Sequence, residues 1–214
     1  MRTNNSLFIA FEGTDGSGKT TQAALLRNKL ASSGHLVYST FEPTDNELGK
    51  IIRSVLKHEK KYDHYTLAAL FAADRLDHIL HDDYGLLTKL QQGNHVITDR
   101  YYFSSYAYHT LHVDMDWVID SNRMAAQHLK PDITFFIDLD PEECMNRIVQ
   151  NRSQTELFET LDMLKAIRQN YLSAFEKLNL SENIISIDGN RTIELIADEI
   201  YQKTQAFLIQ STVA

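Results

Sequence analysis

Gly13-Thr-Asp-Gly-Ser-Gly-Lys-Thr20 is a full G-x-x-x-x-G-K-[ST] stretch, preceded by the apolar run Leu7 to Phe11 and followed by a helical pattern. Strand, glycine loop and helix in that order make a phosphate loop, in which successive backbone N–H groups turn inward around an anion. Three of the eight glycines in the chain, Gly13, Gly16 and Gly18, fall inside this loop, where a Cβ would obstruct the turn. Lys19 is spaced to reach the β- and γ-phosphates of a nucleotide, and Thr20 to offer a hydroxyl to Mg2+. A glycine-rich turn serving only the fold would not require Lys and Thr at this step.

Outward from the loop, five short β-rich runs alternate with helical stretches: Leu7 to Glu12, Leu36 to Phe41, His95 to Asp99, Ile133 to Asp138 and Ile184 to Asp188. Such alternation predicts an α/β fold with a parallel sheet wrapped by helices. Apolar residues at three- and four-residue steps predict helices over Leu48 to Lys57 and over Thr66 to Gln92. Asp140-Pro-Glu-Glu143 is a helix start, with a capping acid and a proline in the first turn, predicting a helix to about Arg152. A second long helix is expected from about Glu156 to Leu178, and the polar window Asn151 to Gln154 between the two is a candidate cover over the site.

The chain has 214 residues, a net charge of -8, one cysteine and no apolar run long enough for a membrane span. Its opening residues run into the first strand without a signal-peptide core. A cytoplasmic protein with a reduced Cys144 is expected, binding neither membrane nor nucleic acid, because an acidic chain lacks the basic stripe that tracks a phosphate backbone. Polyanionic nucleotides remain compatible with this charge if a few cations are focused in one cleft. The Asn-Lys-x-Asp guanine reader of switch GTPases is missing. His78 and His81 lie three apart on a predicted helix, a spacing more common on solvated faces than in zinc sites.

Ligands of open α/β sheets bind at the carboxyl ends of the strands. His95-Val-Ile-Thr-Asp99 delivers a carboxylate there, followed by Arg100. Asp99 is placed to hold Mg2+, directly or through water, and Arg100 to clamp a phosphoryl group. Asp138 ends an equally good strand but lacks a following arginine, which favours a structural role. Phe71 and Arg75 lie four apart on one helix face, a ring to stack on a base and a guanidinium to donate to its carbonyl.

Together Phe11-Glu-Gly-Thr-Asp-Gly-Ser-Gly-Lys-Thr-Thr-Gln22, Glu42-Pro43, Phe71-Ala-Ala-Asp-Arg75, Asp99-Arg-Tyr-Tyr-Phe-Ser-Ser-Tyr-Ala-Tyr108, Lys130-Pro-Asp-Ile-Thr134 and Ile187-Asp-Gly189 resemble the thymidylate (dTMP) kinases of the nucleoside monophosphate kinase group. The likeness spans nearly the whole chain. It implies a three-layer P-loop NTPase fold over residues 1–214 as one domain, with a short lid at about 147–159, and a homodimer. The implied reaction is ATP and dTMP giving ADP and dTDP, with Mg2+ as cofactor. By the same resemblance, Gly13, Thr14, Asp15, Gly16, Ser17, Gly18, Lys19, Thr20 and Thr21 hold ATP, and Asn190 and Arg191 lie near adenine. Asp15 meets the deoxyribose 3′-hydroxyl, Phe71 stacks on thymine and Arg75 bonds its carbonyl. Asp99 positions Mg2+, Arg100 sits beside the acceptor phosphate, Ser104 and Ser105 line the base pocket, and Tyr108 packs near the sugar carbon that lacks a hydroxyl.

Some members of that family carry an arginine at the Gly16 position, and those without it resemble one another in supplying a lid arginine. Arg152 and Arg147 are the lid cations of this chain, Arg152 being nearer the polar break. Two departures stand out. Thr40-Phe-Glu-Pro-Thr-Asp45 occurs where most bacterial relatives have Thr-Arg-Glu-Pro-Gly-Gly, and Leu157 replaces an expected lid arginine. The sequence leaves Arg100, Lys50 and Arg53 as candidates for the missing grip on the acceptor phosphate. It also leaves open a kinase of altered base preference, or a nucleotide-binding relative with little turnover.

Overall fold

The computed structural model describes residues 6–151, 157, 158, 160–178 and 181–213. Its strands are β1 (Phe8–Glu12), β2 (Val37–Phe41), β3 (His95–Asp99), β4 (Ile133–Asp138) and β5 (Ile184–Asp188), forming one all-parallel sheet in the order β2-β3-β1-β4-β5. Each predicted strand is present to within one residue.

The pleat divides the core into two layers. Phe8 and Ala10 of β1 face one side, with Val96 and Phe136. Ile9 and Phe11 face the other, with Ile97, Phe135 and Ile137. Central strands covered on both faces read as unbroken apolar runs, whereas edge strands β2 and β5 are largely half-exposed. Helices α1 (Lys19–Ser32) and α10 (Ile193–Val213) cover the second face through Leu26, Leu30, Ile196 and Ile200. The first face carries α2 (Glu47–Leu56), α3 (His64–Leu80), α4 (Leu86–Gln91), α5 (Tyr102–Tyr108), α6 (Met115–Ser121), α7 (Arg123–His128) and α9 (Leu161–Leu178). Helix α8 (Pro141–Asn151) packs on α9 through Cys144, Ile148 and Leu164.

Three helical expectations need correction. The single span Thr66 to Gln92 is two helices, because the chain leaves α3 at His81 and turns through Asp82 and Tyr84 to Gly85, whose N–H bonds the His81 carbonyl at 2.9 Å. Helix α9 starts at Leu161, not near Glu156, which lies outside the described residues. Leu157 and Phe158 form a turn, and the Thr160 hydroxyl accepts the Met163 N–H at 3.3 Å, an N-cap. The long α10 follows β5 where no helix was predicted, started by Thr192, whose hydroxyl accepts the Leu195 N–H at 3.4 Å. Elsewhere the capping logic holds: Asp140 accepts the Glu142 N–H at 2.8 Å at the start of α8.

Candidate active site

Helix α1 begins at Lys19 behind Gly18, which has φ +98° and provides no side-chain cap. The first-turn N–H groups of a 14-residue helix are thereby left to face an anion. Gly16 has φ +81°, and a Cβ there would fall 2.5 Å from the Cys144 carbonyl oxygen in α8. Helix α8 thus presses on the loop so closely that the arginine some relatives carry at this position does not fit here. Lys19 is buried, with Nζ donating to the Thr14 carbonyl at 2.8 Å. Burial pushes its ammonium below the ordinary lysine range, and nearby Arg100 adds to the effect.

Two cavities meet at this loop. One, of about 220 Å³, is lined by Asp15, Lys19, Thr20, Asp99, Arg100, Phe71, Ser104, Ser105, Tyr108 and His109, with Pro43, Leu56 and Phe158. The other, of about 460 Å³, shares Asp15, Lys19 and Thr20 and continues along Gly16, Ser17, Gly18 and Thr21 to Arg147, Ile148, Gly189, Arg191 and Ile193. Sequence-predicted residues from five separate segments therefore converge. Asn190 is in neither wall, and its backbone N–H and its amide both donate to Asp188 Oδ1 at 3.0 Å. Arg147 pairs with Glu143 at 2.9 Å along α8. Arg152 lies outside the described residues.

At the carboxyl end of β3, Thr20 Oγ1 donates to Asp99 Oδ2 at 2.5 Å. Asp99 Oδ1 is buried without a hydrogen-bond partner among the described residues. An oxygen-only set with a spare carboxylate lone pair suits Mg2+, a hard ion that binds through one or two protein oxygens and keeps several waters. Arg100 has φ +73°, unusual for a residue with a side chain. Its Nη2 contacts Asp15 Oδ1 at 2.6 Å and Tyr108 Oη at 3.0 Å, its Nη1 donates to Ser104 Oγ at 2.9 Å, and its guanidinium lies 4.7 Å from the Tyr108 ring centroid. Tyr108 Oη in turn donates to Asp15 Oδ2 at 2.9 Å.

Phe71 presents its ring in the cavity wall, edge-on to His109 at 4.9 Å. Arg75 sits behind the wall and is 1% exposed. Its Nε and Nη2 reach Glu42 Oε2 at 2.8 and 2.7 Å, Nη2 also reaches the Tyr101 carbonyl at 3.2 Å, and Nη1 donates to Ser105 Oγ at 3.0 Å and to Asn122 Oδ1. Every N–H of the guanidinium thus has an acceptor. Asp138, favoured for a structural role, is clasped by Arg168 of α9 at 2.7 and 2.9 Å. His78 is a core residue, with Nδ1 on Glu42 Oε1 at 3.0 Å and Nε2 on Thr40 Oγ1 at 2.8 Å.

Several residues at the site escaped sequence reading. Glu12 and Glu42 stand at the carboxyl ends of β1 and β2, yet both are buried and serve protein donors. An acid inside or at the end of an apolar strand is the available signal, because a buried charge needs partners. His109, Asn122 and Tyr171 carried no local signal. At the missing-arginine position, Phe41 is 44% exposed on the edge strand. Arg53 of α2 reaches the same segment, with Nη1 on the Pro43 carbonyl at 2.7 Å and Nη2 on Asp45 at 2.8 Å, while Lys50 is exposed.

A family model described as "Thymidylate kinase" matches residues 11–200. The chain is 39% identical over 205 residues to a probable thymidylate kinase of Thermococcus kodakarensis, covering 89% of this chain and 97% of that one. It is 36% identical to a probable thymidylate kinase of Methanocaldococcus jannaschii, over 92% of this chain and 94% of that one. It is likewise 36% identical to a thymidylate kinase of the Aster yellows witches'-broom phytoplasma, over 92% and 96% of the two chains.

Proposed function

This chain belongs to the thymidylate kinase family, and we propose that its paired cavities align ATP and dTMP across Lys19 for transfer of the γ-phosphoryl group. It is a phosphotransferase that phosphorylates dTMP. The alternatives of another acceptor base or of a binding-only relative are not favoured by the family match. The observation that carries the mechanism is the sharing of Asp15, Lys19 and Thr20 by the two cavities. A donor on one side and an acceptor on the other would meet only there.

The larger cavity takes ATP, with its phosphates on the loop N–H groups and Lys19, and its base between Arg147 with Ile148 and Arg191 with Ile193. The smaller takes dTMP. Phe71 stacks on thymine, Ser105 lines the base, and Tyr108 closes the space beside the sugar carbon that lacks a hydroxyl. Asp15 meets the 3′-hydroxyl. For Arg75 to bond a thymine carbonyl it exchanges its Ser105 contact, which is its acceptor in the cavity wall. Arg100 leaves Asp15 for the acceptor phosphate, and Arg53 supplies the second cation there in place of an arginine at Phe41.

An oxygen of the dTMP phosphate forms a bond to the γ-phosphorus as the bond to the β-phosphate oxygen breaks. That oxygen is already anionic, so no general base is required. The protein supplies alignment and charge: Lys19 and Arg100 face the moving phosphoryl group, and a lid arginine, Arg152 or Arg147, completes the set. Thr20 and Asp99 are the residues that would hold Mg2+, which screens the phosphate oxygens. We take residues 1–214 as one kinase domain with a lid at about 147–159, and the cytoplasm as its location.

We also propose a homodimer. Helices α3, α6 and α7 pack on one another and expose Tyr65 (52%), Trp117 (37%) and Met124 (49%), an outlay of apolar surface typical of an interface. Light scattering on the purified protein tests this. The function is tested by coupled ADP release with ATP, Mg2+ and a panel of dTMP, dUMP, dCMP, dAMP and dGMP. Turnover of dTMP should exceed all others, and a clear preference for any other acceptor would overturn the assignment.

A further inference from the structure

Glu12 ends β1, the most deeply buried strand, at a position where another apolar side chain would serve the fold. A buried carboxylate costs several kcal/mol unless it is fully satisfied. Here it accepts four bonds. Oε1 takes the N–H of Tyr101 at 2.8 Å and of Ser104 at 3.1 Å, and Oε2 takes the hydroxyls of Ser104 at 2.6 Å and Tyr171 at 2.8 Å. Burial raises its pKa, and the Ser104 bond and the positive charge of Arg100 work against that rise.

We propose that Glu12 is the positioning residue that holds Arg100 in place for the acceptor phosphate, by dictating which way the Ser104 hydroxyl proton points. The inference rests on the role given to Arg100 above. A carboxylate has no proton to give, so both hydroxyls that meet Oε2 must donate. The Ser104 hydroxyl has one proton and spends it on Glu12. Only its lone pairs then remain for Arg100, whose Nη1 donates to Ser104 Oγ at 2.9 Å. The same carboxylate fixes the backbone behind the guanidinium, since it binds the N–H of Tyr101, the residue after Arg100 in its left-handed conformation. One buried group thus sets both the backbone and the head of the cation. Tyr171 adds α9 to the network, its hydroxyl lying 2.9 Å from Ser104 Oγ and 3.4 Å from the Gly13 carbonyl at the start of the phosphate loop.

Glu12→Gln keeps the shape but turns Oε2 into an NH2 group that must itself donate. The Ser104 proton is then displaced from Glu12, and Nη1 of Arg100 loses its fixed acceptor. Steady-state constants for dTMP and ATP, varied separately, should show kcat/KM for dTMP falling about 100-fold, as misplacement of a reacting-site group can. KM for ATP should stay within about twofold, because ground-state binding of the donor is untouched. Ser104→Ala should reproduce the dTMP defect, and Glu12→Gln added to it should cost little more, since both act on one link.

Unchanged dTMP kinetics in Glu12→Gln would overturn the role, as would equal deterioration for both substrates in step with a lowered Tm. If Glu12→Gln does not fold, Ser104→Ala decides alone, and unaltered kcat/KM for dTMP in that variant sinks the proposal. Arg100→Ala, run beside them, separates the two levels. Intact dTMP kinetics there remove the role of Arg100 itself, whereas an impaired Arg100→Ala with an unimpaired Glu12→Gln removes only the role of Glu12.

Discussion

Thr20 Oγ1 donates to Asp99 Oδ2 across 2.5 Å, although 79 positions separate the two residues in the chain. The bond exists because β1 and β3 are adjacent and parallel, with Phe11 opposite Asp99. The phosphate loop and the end of β3 therefore open on the same edge of the sheet. The sheet ladder engages only the backbone of Asp99, and Thr20 lies in the first turn of α1, so the two side chains can meet one ion.

Asp99→Ala removes the carboxylate whose buried Oδ1 has no hydrogen-bond partner among the described residues. The Mg2+ concentration for half-maximal rate should rise about 10- to 100-fold. Titration of Mg2+ at fixed ATP measures this, and an unmoved midpoint would take Asp99 out of the metal site.

Phe71→Ala removes the flat face of the acceptor cavity. A base stack is worth about 1–3 kcal/mol, so KM for dTMP should rise about tenfold or more. Phe71 is only half-buried, so Tm should move little. A variant with wild-type KM would mean that the base lies elsewhere.

Arg53→Ala and Lys50→Ala separate the two candidates for the missing grip. Arg53 is anchored on the Pro43 carbonyl in the cavity wall, and Lys50 is exposed. Loss of a charge-assisted contact of about 1.5–3 kcal/mol should raise KM for dTMP about tenfold in Arg53→Ala and leave Lys50→Ala unchanged. The reverse ranking would give the role to Lys50.

Gly16→Arg places a Cβ 2.5 Å from the Cys144 carbonyl at a φ of +81°. The strained backbone alone costs about 1–3 kcal/mol. Denaturant unfolding should show at least that loss, together with reduced activity. Wild-type stability would mean that α8 yields to the side chain.

His109 is buried, and desolvation, helped by Arg75, pushes its pKa down to about 3 from 6.5. The unfolded chain therefore binds a proton that the folded chain refuses between those values. Stability is full above the unfolded pKa and falls as pH drops from about 6.5 toward 3. His109→Gln, which cannot titrate, should flatten the fall of Tm over that interval. An identical slope in both proteins would assign the acid sensitivity to other groups.

How far the sequence carries is clearest where it stops. The break between α3 and α4 was not legible, because apolar spacing continues across His81 to Gly85 while only the turn itself, with Gly85 on the His81 carbonyl, ends the helix. That Arg75 shares a helix face with Phe71 was legible from their four-residue spacing. That its guanidinium is occupied by Glu42, Asn122, Ser105 and Tyr101 was not, because these partners come from other segments of the chain.

The sequence by itself determined the reaction edge: a glycine loop ending in Lys-Thr, and strands with acids at their carboxyl ends, allow one parallel sheet with its ligands at that end. These are local requirements, written in residues that stand next to one another. Which carboxylates face the ligand and which face the protein was decided only in three dimensions. Glu12 and Asp99 end neighbouring strands, yet one is sealed among four donors and the other keeps an oxygen unpaired among the described residues. Burial and hydrogen-bond geometry depend on what packs around a side chain, and those neighbours are supplied by segments that meet only when the chain folds.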